Sequence, residues 1–321
     1  MSRPFFSVVV PTYERSRIVR RCVDSCLAQD FEDFEVVVVD DHSADDTVAA
    51  LERYEDPRLR VVVHDRNRGI SPSRQTGAAA AAGDWVVIID SDWELMPGAL
   101  ARLREIIGEV GEEVGVIRFR LVWDDGGVTP RFVPAAPVGY EGRIRWAEEE
   151  GGFDAPHCMR RSTLERVPFP ADRRGAMESL YELDLAAAVS THYVEDVLGE
   201  EHTDAPNSWL RTVSAAELVP RLLSEAPDML WMAETTLERH GDALRRYGPN
   251  QYTTMLRIAS VQAFLLGHRR KGASYALQAL RRKPIEPLAW ITLGLGLVGP
   301  RAVAEGTVVF RRLLAWRDRR A

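Results

Sequence analysis

Along the first hundred residues the apolar positions switch repeatedly between two periods. Phe6-Ser7-Val8-Val9-Val10 is a continuous apolar run, the pattern of a strand buried on both faces. Ile18, Val19, Cys22, Val23, Cys26 and Leu27 then recur at helical spacing and predict a helix over 17–29. The alternation continues with a strand over 34–39, a helix over 43–54 with Ser43 as its N-cap, a strand over 59–64, a helix from Ser71 into the alanine-rich stretch 77–82, and a strand over 85–89. Strands lacking a polar face, alternating with helices, predict an α/β fold: a mainly parallel sheet flanked by helices on both sides. A helix over 99–107 and a strand over 115–122 extend the pattern, whereas residues 123–155, rich in Gly, Pro and charge, predict an irregular or antiparallel excursion. Helices begin near Arg161 and within 175–186. From Ser214 the period is helical throughout, with segments at 215–225, 229–240, 252–266 and 272–282. The expected division is therefore 1–213, in halves 1–100 and 101–213, followed by a helical region over 214–321.

In a parallel sheet of this kind ligands bind beyond the C-terminal strand ends. Those ends read Pro11-Thr12-Tyr13-Glu14, Asp40-Asp41-His42-Ser43, Asp65-Arg66-Asn67-Arg68-Gly69 and Asp90-Ser91-Asp92. Two carboxylates delivered by a buried strand can hold a hard divalent cation, which can in turn hold a diphosphate. Neither a Gly-x-Gly-x-x-Gly turn nor a P-loop follows the first strand, which argues against dinucleotide and P-loop nucleotide binding. A net charge of -7 argues against non-specific nucleic-acid binding. Cys22, Cys26 and Cys158 have no metal-ligand or disulfide spacing, and Met1-Ser2-Arg3-Pro4 leads into a strand with no export signal, so a cytoplasmic protein is expected. The uncharged run 287–300 is short for a bilayer span and predicts a buried or interfacial segment.

Taken together, Val9-Val10-Pro11-Thr12-Tyr13, Val39-Asp40-Asp41-His42-Ser43 with Asp45-Asp46-Thr47, Asn67-Arg68-Gly69 with Ser73-Arg74, and Asp90-Ser91-Asp92 resemble a family 2 glycosyltransferase of the GT-A fold over roughly the first 210 residues. The resemblance implies a nucleoside-diphosphate sugar donor, Mg²⁺ or Mn²⁺, and displacement with inversion at the anomeric carbon. It implies that Pro11, Thr12 and Tyr13 line the nucleotide pocket and that Asp41 accepts a hydrogen bond from a uracil-like base. Glu14 stands where the family often has Asn. Arg74 is implied at the nucleotide or its phosphates, with Ser91 beside them. Asp92 is implied as a metal ligand, assisted by Asp90 through the metal or the ribose.

Inversion needs a base for the acceptor hydroxyl. The family often places a Glu-Asp pair before a late helix; here the stretch reads Met177-Glu178-Ser179, so Glu178 is the candidate base, while Glu182 and Asp184 read as solvated helix carboxylates. His202 matches a loop histidine that reaches the metal or diphosphate in related enzymes, and His157 falls where the acceptor is met or where a side chain simply packs. A glycan or a lipid-linked molecule is the implied acceptor. Residues 301–321 carry six Arg against Glu305 and Asp318, and an amphipathic helix there would give peripheral contact with an anionic membrane; the alternative is a helical bundle packed on the protein or on a second subunit. Two other readings stand beside the transferase: a non-catalytic nucleotide-sugar-binding scaffold, and a sugar-phosphate nucleotidylyltransferase, disfavoured because 11–15 lacks glycine.

Overall fold

A computed structural model of the chain describes residues 3–150, 156–174, 177–204 and 215–318, with side chains at all of these except 150, 215–217 and 310–318. The expected boundary at 213/214, residues 154–155 and 175–176 near two candidate site residues, and the last basic residues 319–320 lie outside the described residues. The chain divides into two compact units, Met1–Leu210 and Arg211–Ala321.

The first unit runs β1 (Phe6–Thr12), α1 (Val19–Leu27), β2 (Phe34–Asp40), α2 (Thr47–Leu51), β3 (Leu59–Val63), α3 (Ile70–Ala80), β4 (Trp85–Ile88), β5 (Trp93–Leu95), α4 (Ala99–Glu109), β6 (Val114–Trp123), β7 (Val128–Thr129), α5 (Tyr140–Glu150), β8 (His157–Arg160), α6 (Arg161–Arg166), α7 (Glu178–Ala188) and β9 (Ser190–Glu201). One sheet has the order β3-β2-β1-β4-β8-β6-β9-β5, with β7 on β6. Its first four strands are parallel. The unbroken valine runs follow from their position between two layers. Val8, Val10, Val36 and Val38 pack with Val19, Cys22, Val23 and Cys26 of α1. Val9, Val37 and Val39 pack with Ala78 of α3 on the opposite face. Each valine so buried contributes about 1.5–3 kcal/mol. All three cysteines are free and buried.

Past β4 the sheet becomes mixed. β8 is antiparallel to both β4 and β6, β9 is parallel to β6, and β5 is antiparallel to β9. β9 has no counterpart in the hydrophobic pattern for a physical reason. Its register on β6 shifts three times, between Val114 and Val116, between Arg118 and Arg120, where residues 194–196 form a bulge, and between Arg120 and Leu121, so the two-residue alternation is broken. The bulge carries Asp196, which accepts a hydrogen bond from Arg102 Nε of α4 at 2.7 Å.

The second unit is helical: α8 (Ala215–Tyr247), α9 (Pro249–Leu265), α10 (Arg269–Arg282), α11 (Pro287–Val298) and α12 (Pro300–Asp318). The two helices expected over 215–225 and 229–240 are one, α8, which runs through Pro220 and Pro227. Each interior proline removes a backbone donor and costs about 3 kcal/mol. Burial of Leu218, Leu222, Ala226, Leu230 and Ala233 against the other helices offsets that cost. No helix among the described residues is long and apolar enough to cross a membrane.

Candidate active site

In the order β3-β2-β1-β4 the chain leaves β1 toward β2 on one side and reaches β4 on the other. A crevice therefore opens between the C-terminal ends of β1 and β4. Both ends bring charge to it. Arg15, just past β1, places Nη1 3.5 Å from Asp92 Oδ2, just past β4. That nitrogen and Thr12 Oγ1 are buried without a hydrogen-bond partner. Burial and the neighbouring charge of Asp90 push the Asp92 carboxyl up to about 6, against the opposing pull of Arg15. Ser91 is buried between the two aspartates.

The loops at the ends of β1 and β2 are stitched together. Asp40 accepts from Ser43 N at 2.9 Å and Ser43 Oγ at 2.5 Å, and Ser43 Oγ in turn accepts from Glu14 N at 2.8 Å. Thr47 Oγ1 accepts from Arg15 N at 2.9 Å. Glu14 has φ +52°, an uncommon left-handed conformation for a residue with a side chain, which turns the chain sharply after Tyr13. Burial, followed by the adjacent Glu14, raises the Tyr13 phenol above its ordinary range.

Asp41 organises the next loop. Its Oδ1 accepts from Arg68 N at 2.7 Å and from His64 Nδ1 at 2.7 Å, and its Oδ2 accepts from Gly69 N at 2.7 Å. One Oδ2 lone pair remains for an external donor. Gly69 has φ +102°, and a Cβ there would lie 2.1 Å from the Arg174 carbonyl oxygen. Gly69→Ala therefore strains the backbone and pushes residue 174 off the turn. We expect a loss of about 1–3 kcal/mol in stability, read as a lower urea midpoint at unchanged slope.

Arg74 of α3 is buried and joins two carboxylates. Its Nη2 is 3.0 Å from Asp90 Oδ1 and its Nη1 is 3.1 Å from Glu178 Oε1. The candidate base and the strand-end aspartate thus share one guanidinium, across 104 residues of sequence. Glu178 opens α7, and its side chain is 43% exposed.

Glu182, one turn later on the same face of α7, is not a solvated carboxylate. Its side chain is 15% exposed; it accepts from Arg118 Nη2 and, at 2.8 Å, from His157 Nε2, with Arg143 Nη2 at 3.6 Å. Desolvation opposes its ionisation, yet Arg118 and its other partners hold it well below the ordinary range. Burial, then the charge of Arg118, lowers His157 to about 4. His157 is thus a buried neutral imidazole tied to Glu182. This cluster fixes α7 to β6, β8 and α5, and so fixes where Glu178 starts.

Both shifts act in the same direction on acidification. The unfolded chain takes up a proton at His157 near pH 6.5, which the folded chain resists until about pH 4; Glu182 stability, present above its unfolded value, is lost as pH falls through its folded value. Stability should fall by about 3 kcal/mol between pH 7 and pH 4 through His157. Urea midpoints across that range check this: the wild-type slope should exceed that of His157→Asn, and parallel curves would refute it.

His202 follows β9, and its backbone N donates to Asp92 O at 3.1 Å. Its ring lies with Glu94 Oε1 at 2.6 Å and Asp124 Oδ1 at 2.9 Å rather than with either aspartate of the Asp90/Asp92 pair. Asp124, Glu200 and His202 bring potential ligand atoms within 4.8 Å of one another. Hydrogen bonds from Thr203 N and Oγ1, then His202, hold Asp124 down at about 2. Among the candidates, then, Asp90, Arg74 and Glu178 are brought together directly and Asp92 is met by Arg15. Arg15 and the Arg118–Glu182 pair escaped sequence reasoning. Only Arg15 had a signal there, as the first cation after a strand end facing the acidic pair.

The donor chemistry fits a hard divalent cation. Asp90 and Asp92 offer carboxylate oxygens at one strand end, where burial and then the charge of Asp90 raise the Asp92 carboxyl. The mixed sheet of the first unit has the GT-A fold of the solved structures it superposes on. Residues 7–165 match the sequence model of the family described as Glycosyl transferase family 2. The chain is 39% identical over 123 residues to the succinoglycan biosynthesis protein ExoO of Rhizobium meliloti (strain 1021), covering 38% of this chain and 35% of that protein. The chain thus spans about a third of the length of the curated relatives it matches. Residues 1–349 of S. aureus TarS in complex with UDP-GlcNAc superpose with TM-score 0.56 at 19% identity, covering 94% of this chain and 91% of that one. The mannosyltransferase PcManGT from Pyrobaculum calidifontis, in complex with GDP-Man and Mn²⁺, gives TM-score 0.53 at 20% identity, covering 97% and 88%. Over residues 7–165 the chain is similar to glycosyl transferase family 2.

Proposed function

We propose that this chain is a cytosol-facing, metal-dependent, inverting glycosyltransferase that moves a sugar from a nucleoside-diphosphate sugar, a UDP-sugar, to a hydroxyl of a glycan or lipid-linked acceptor. The observation that carries the reading is the crevice between β1 and β4, where Asp90, Asp92, Arg15 and Arg74 converge beside Glu178. The UDP-GlcNAc complex of TarS supports the donor class, and the Mn²⁺ complex of PcManGT supports the cation.

In this reading Pro11, Thr12, Tyr13 and Glu14 wall the nucleoside, and the remaining Oδ2 lone pair of Asp41 accepts the base N–H. Asp92 and Asp90 would hold Mg²⁺ or Mn²⁺, which would supply positive charge for the diphosphate. His202, one main-chain hydrogen bond from Asp92, would offer a nitrogen ligand, its ring now lying with Glu94 and Asp124. Arg74 and Arg15 add fixed positive charge aimed at the same diphosphate. Glu178 takes the proton of the acceptor hydroxyl as its oxygen attacks, and the side of the sheet holding His157 and α5 faces the acceptor.

Calorimetric titration of UDP into the protein with and without Mn²⁺ tests this. Binding that requires Mn²⁺ supports the donor site. No UDP binding under either condition refutes it, and tight binding of UDP-sugars without transfer or hydrolysis selects a non-catalytic binding protein.

A further inference from the structure

Helix α11 buries small residues and turns four large apolar ones outward, while Leu293 and Leu295 pack partly against the core. Ala289, Thr292 and Gly296 are its buried positions, spaced as one face. They pack inward on the other helices of the second unit: a Cβ at Gly296 would lie 2.5 Å from the ring of Phe264 in α9. The same period places Trp290, Ile291, Gly294, Leu297 and Val298 on the outer face. The four large ones are 55%, 53%, 66% and 73% exposed, and Ile285, just before the helix, is 92% exposed. No charged residue occurs between Pro287 and Pro300. A helix facing water carries a polar stripe where α11 carries this one. A contiguous apolar stripe of this kind marks a surface that meets something other than water.

The charge around it selects the occupant. Residues 269–321 contain twelve Arg and Lys against Glu286, Glu305 and Asp318, in a chain whose net charge is -7. Exposed Arg281, Arg282 and Lys283 close the helix before the stripe, and exposed Arg301 opens the helix after it. Two copies meeting through this face would bring two strongly basic segments together. Anionic headgroups would instead complement both the charge and the apolar stripe.

We propose that the outer face of α11 lies in the headgroup layer of an anionic lipid bilayer, with Trp290, Ile291, Leu297 and Val298 inserted and the flanking arginines and lysine on the phosphates. Its twelve residues extend about 18 Å, against about 30 Å of hydrocarbon, so the helix lies along the surface and does not span it. Trp290 suits the interface, where an aromatic ring sits at headgroup level. If the chain transfers sugar to a lipid-linked acceptor, this face keeps it at the surface where that acceptor resides; the surface itself rests on no assumption about the donor site.

Flotation of the full chain with vesicles of phosphatidylglycerol and phosphatidylcholine, against vesicles of phosphatidylcholine alone, tests the proposal. Wild type should float with the anionic vesicles at low salt and about tenfold less with the neutral ones. The double variant Ile291→Glu/Leu297→Glu, at two exposed positions, should lose flotation about tenfold while keeping its helical circular dichroism. Arg281→Glu/Arg282→Glu should lose the preference for anionic lipid. Failure of wild type to float with anionic vesicles overturns the proposal. So does a concentration-dependent oligomer that Ile291→Glu/Leu297→Glu dissociates without any effect on flotation, which would assign the face to a second copy. UDP titration of the same variants reads the donor site separately, so loss of flotation with UDP binding intact cannot be mistaken for failure of the transferase reading.

Discussion

Asp92→Ala is expected to eliminate Mn²⁺-dependent UDP binding and to lower kcat/KM by on the order of 10³-fold. Asp92 sits where burial, then the charge of Asp90, disfavours its ionised form. Arg15 offsets this only in part, because its nearest guanidinium nitrogen stands 3.5 Å away and makes no hydrogen bond. Removing Asp92 leaves Asp90 paired to Arg74, an arrangement without a second oxygen ligand at the strand end. The fold should survive, since the hydrophobic cluster beneath the crevice, with Cys22, Val87 and Ile89, is untouched. Asp92→Asn separates charge from shape: an amide keeps the side-chain volume, and loss of Mn²⁺-dependent binding in both variants assigns the effect to charge. Full UDP affinity with Mn²⁺ in folded Asp92→Ala would sink the metal assignment.

The half of the molecule that holds this pair was legible in the sequence because its physics is local. A strand between two helical layers must be apolar at consecutive positions, and β1, β2 and β4 are; these three and β3 each end where polar residues begin, so the candidate chemistry could be read at four strand ends. Beyond β4 the determinants are long-range. β9 shifts its register on β6 three times, which destroys its period, and β5 is three residues whose partner lies about a hundred positions away. Glu182 read as solvated because a helical carboxylate has no sequence mark that distinguishes water from Arg118 on a distant strand. The inverted polarity of α11 was equally hidden: its uniform apolarity shows that the segment avoids water without saying which face is covered.

Glu178→Gln is expected to lower kcat by about 10²–10⁴-fold, the usual contribution of a positioned general base, with UDP affinity within about threefold of wild type. The geometry supports a base that is held but accessible. Glu182 anchors the first turns of α7 in a buried cluster, and Glu178, on the same face one turn earlier, extends to Arg74 with 43% of its side chain exposed. An incoming hydroxyl can therefore reach it from solvent while Arg74 holds it level with Asp90, the end of the crevice where a diphosphate would depart. The ion pair also supplies the competing explanation: Glu178 could act only by positioning Arg74. The two roles separate in the kinetics with the UDP-sugar and acceptor found by screening. A base variant loses kcat at unchanged donor KM, whereas loss of Arg74 positioning raises donor KM and weakens UDP binding together. Ser179→Asp sharpens the distinction, because a second carboxylate at the start of α7 should restore part of the kcat lost in Glu178→Gln without touching the Arg74 contact. If Glu178→Gln keeps its kcat, the proton is taken by another group and Glu178 is a structural partner of Arg74.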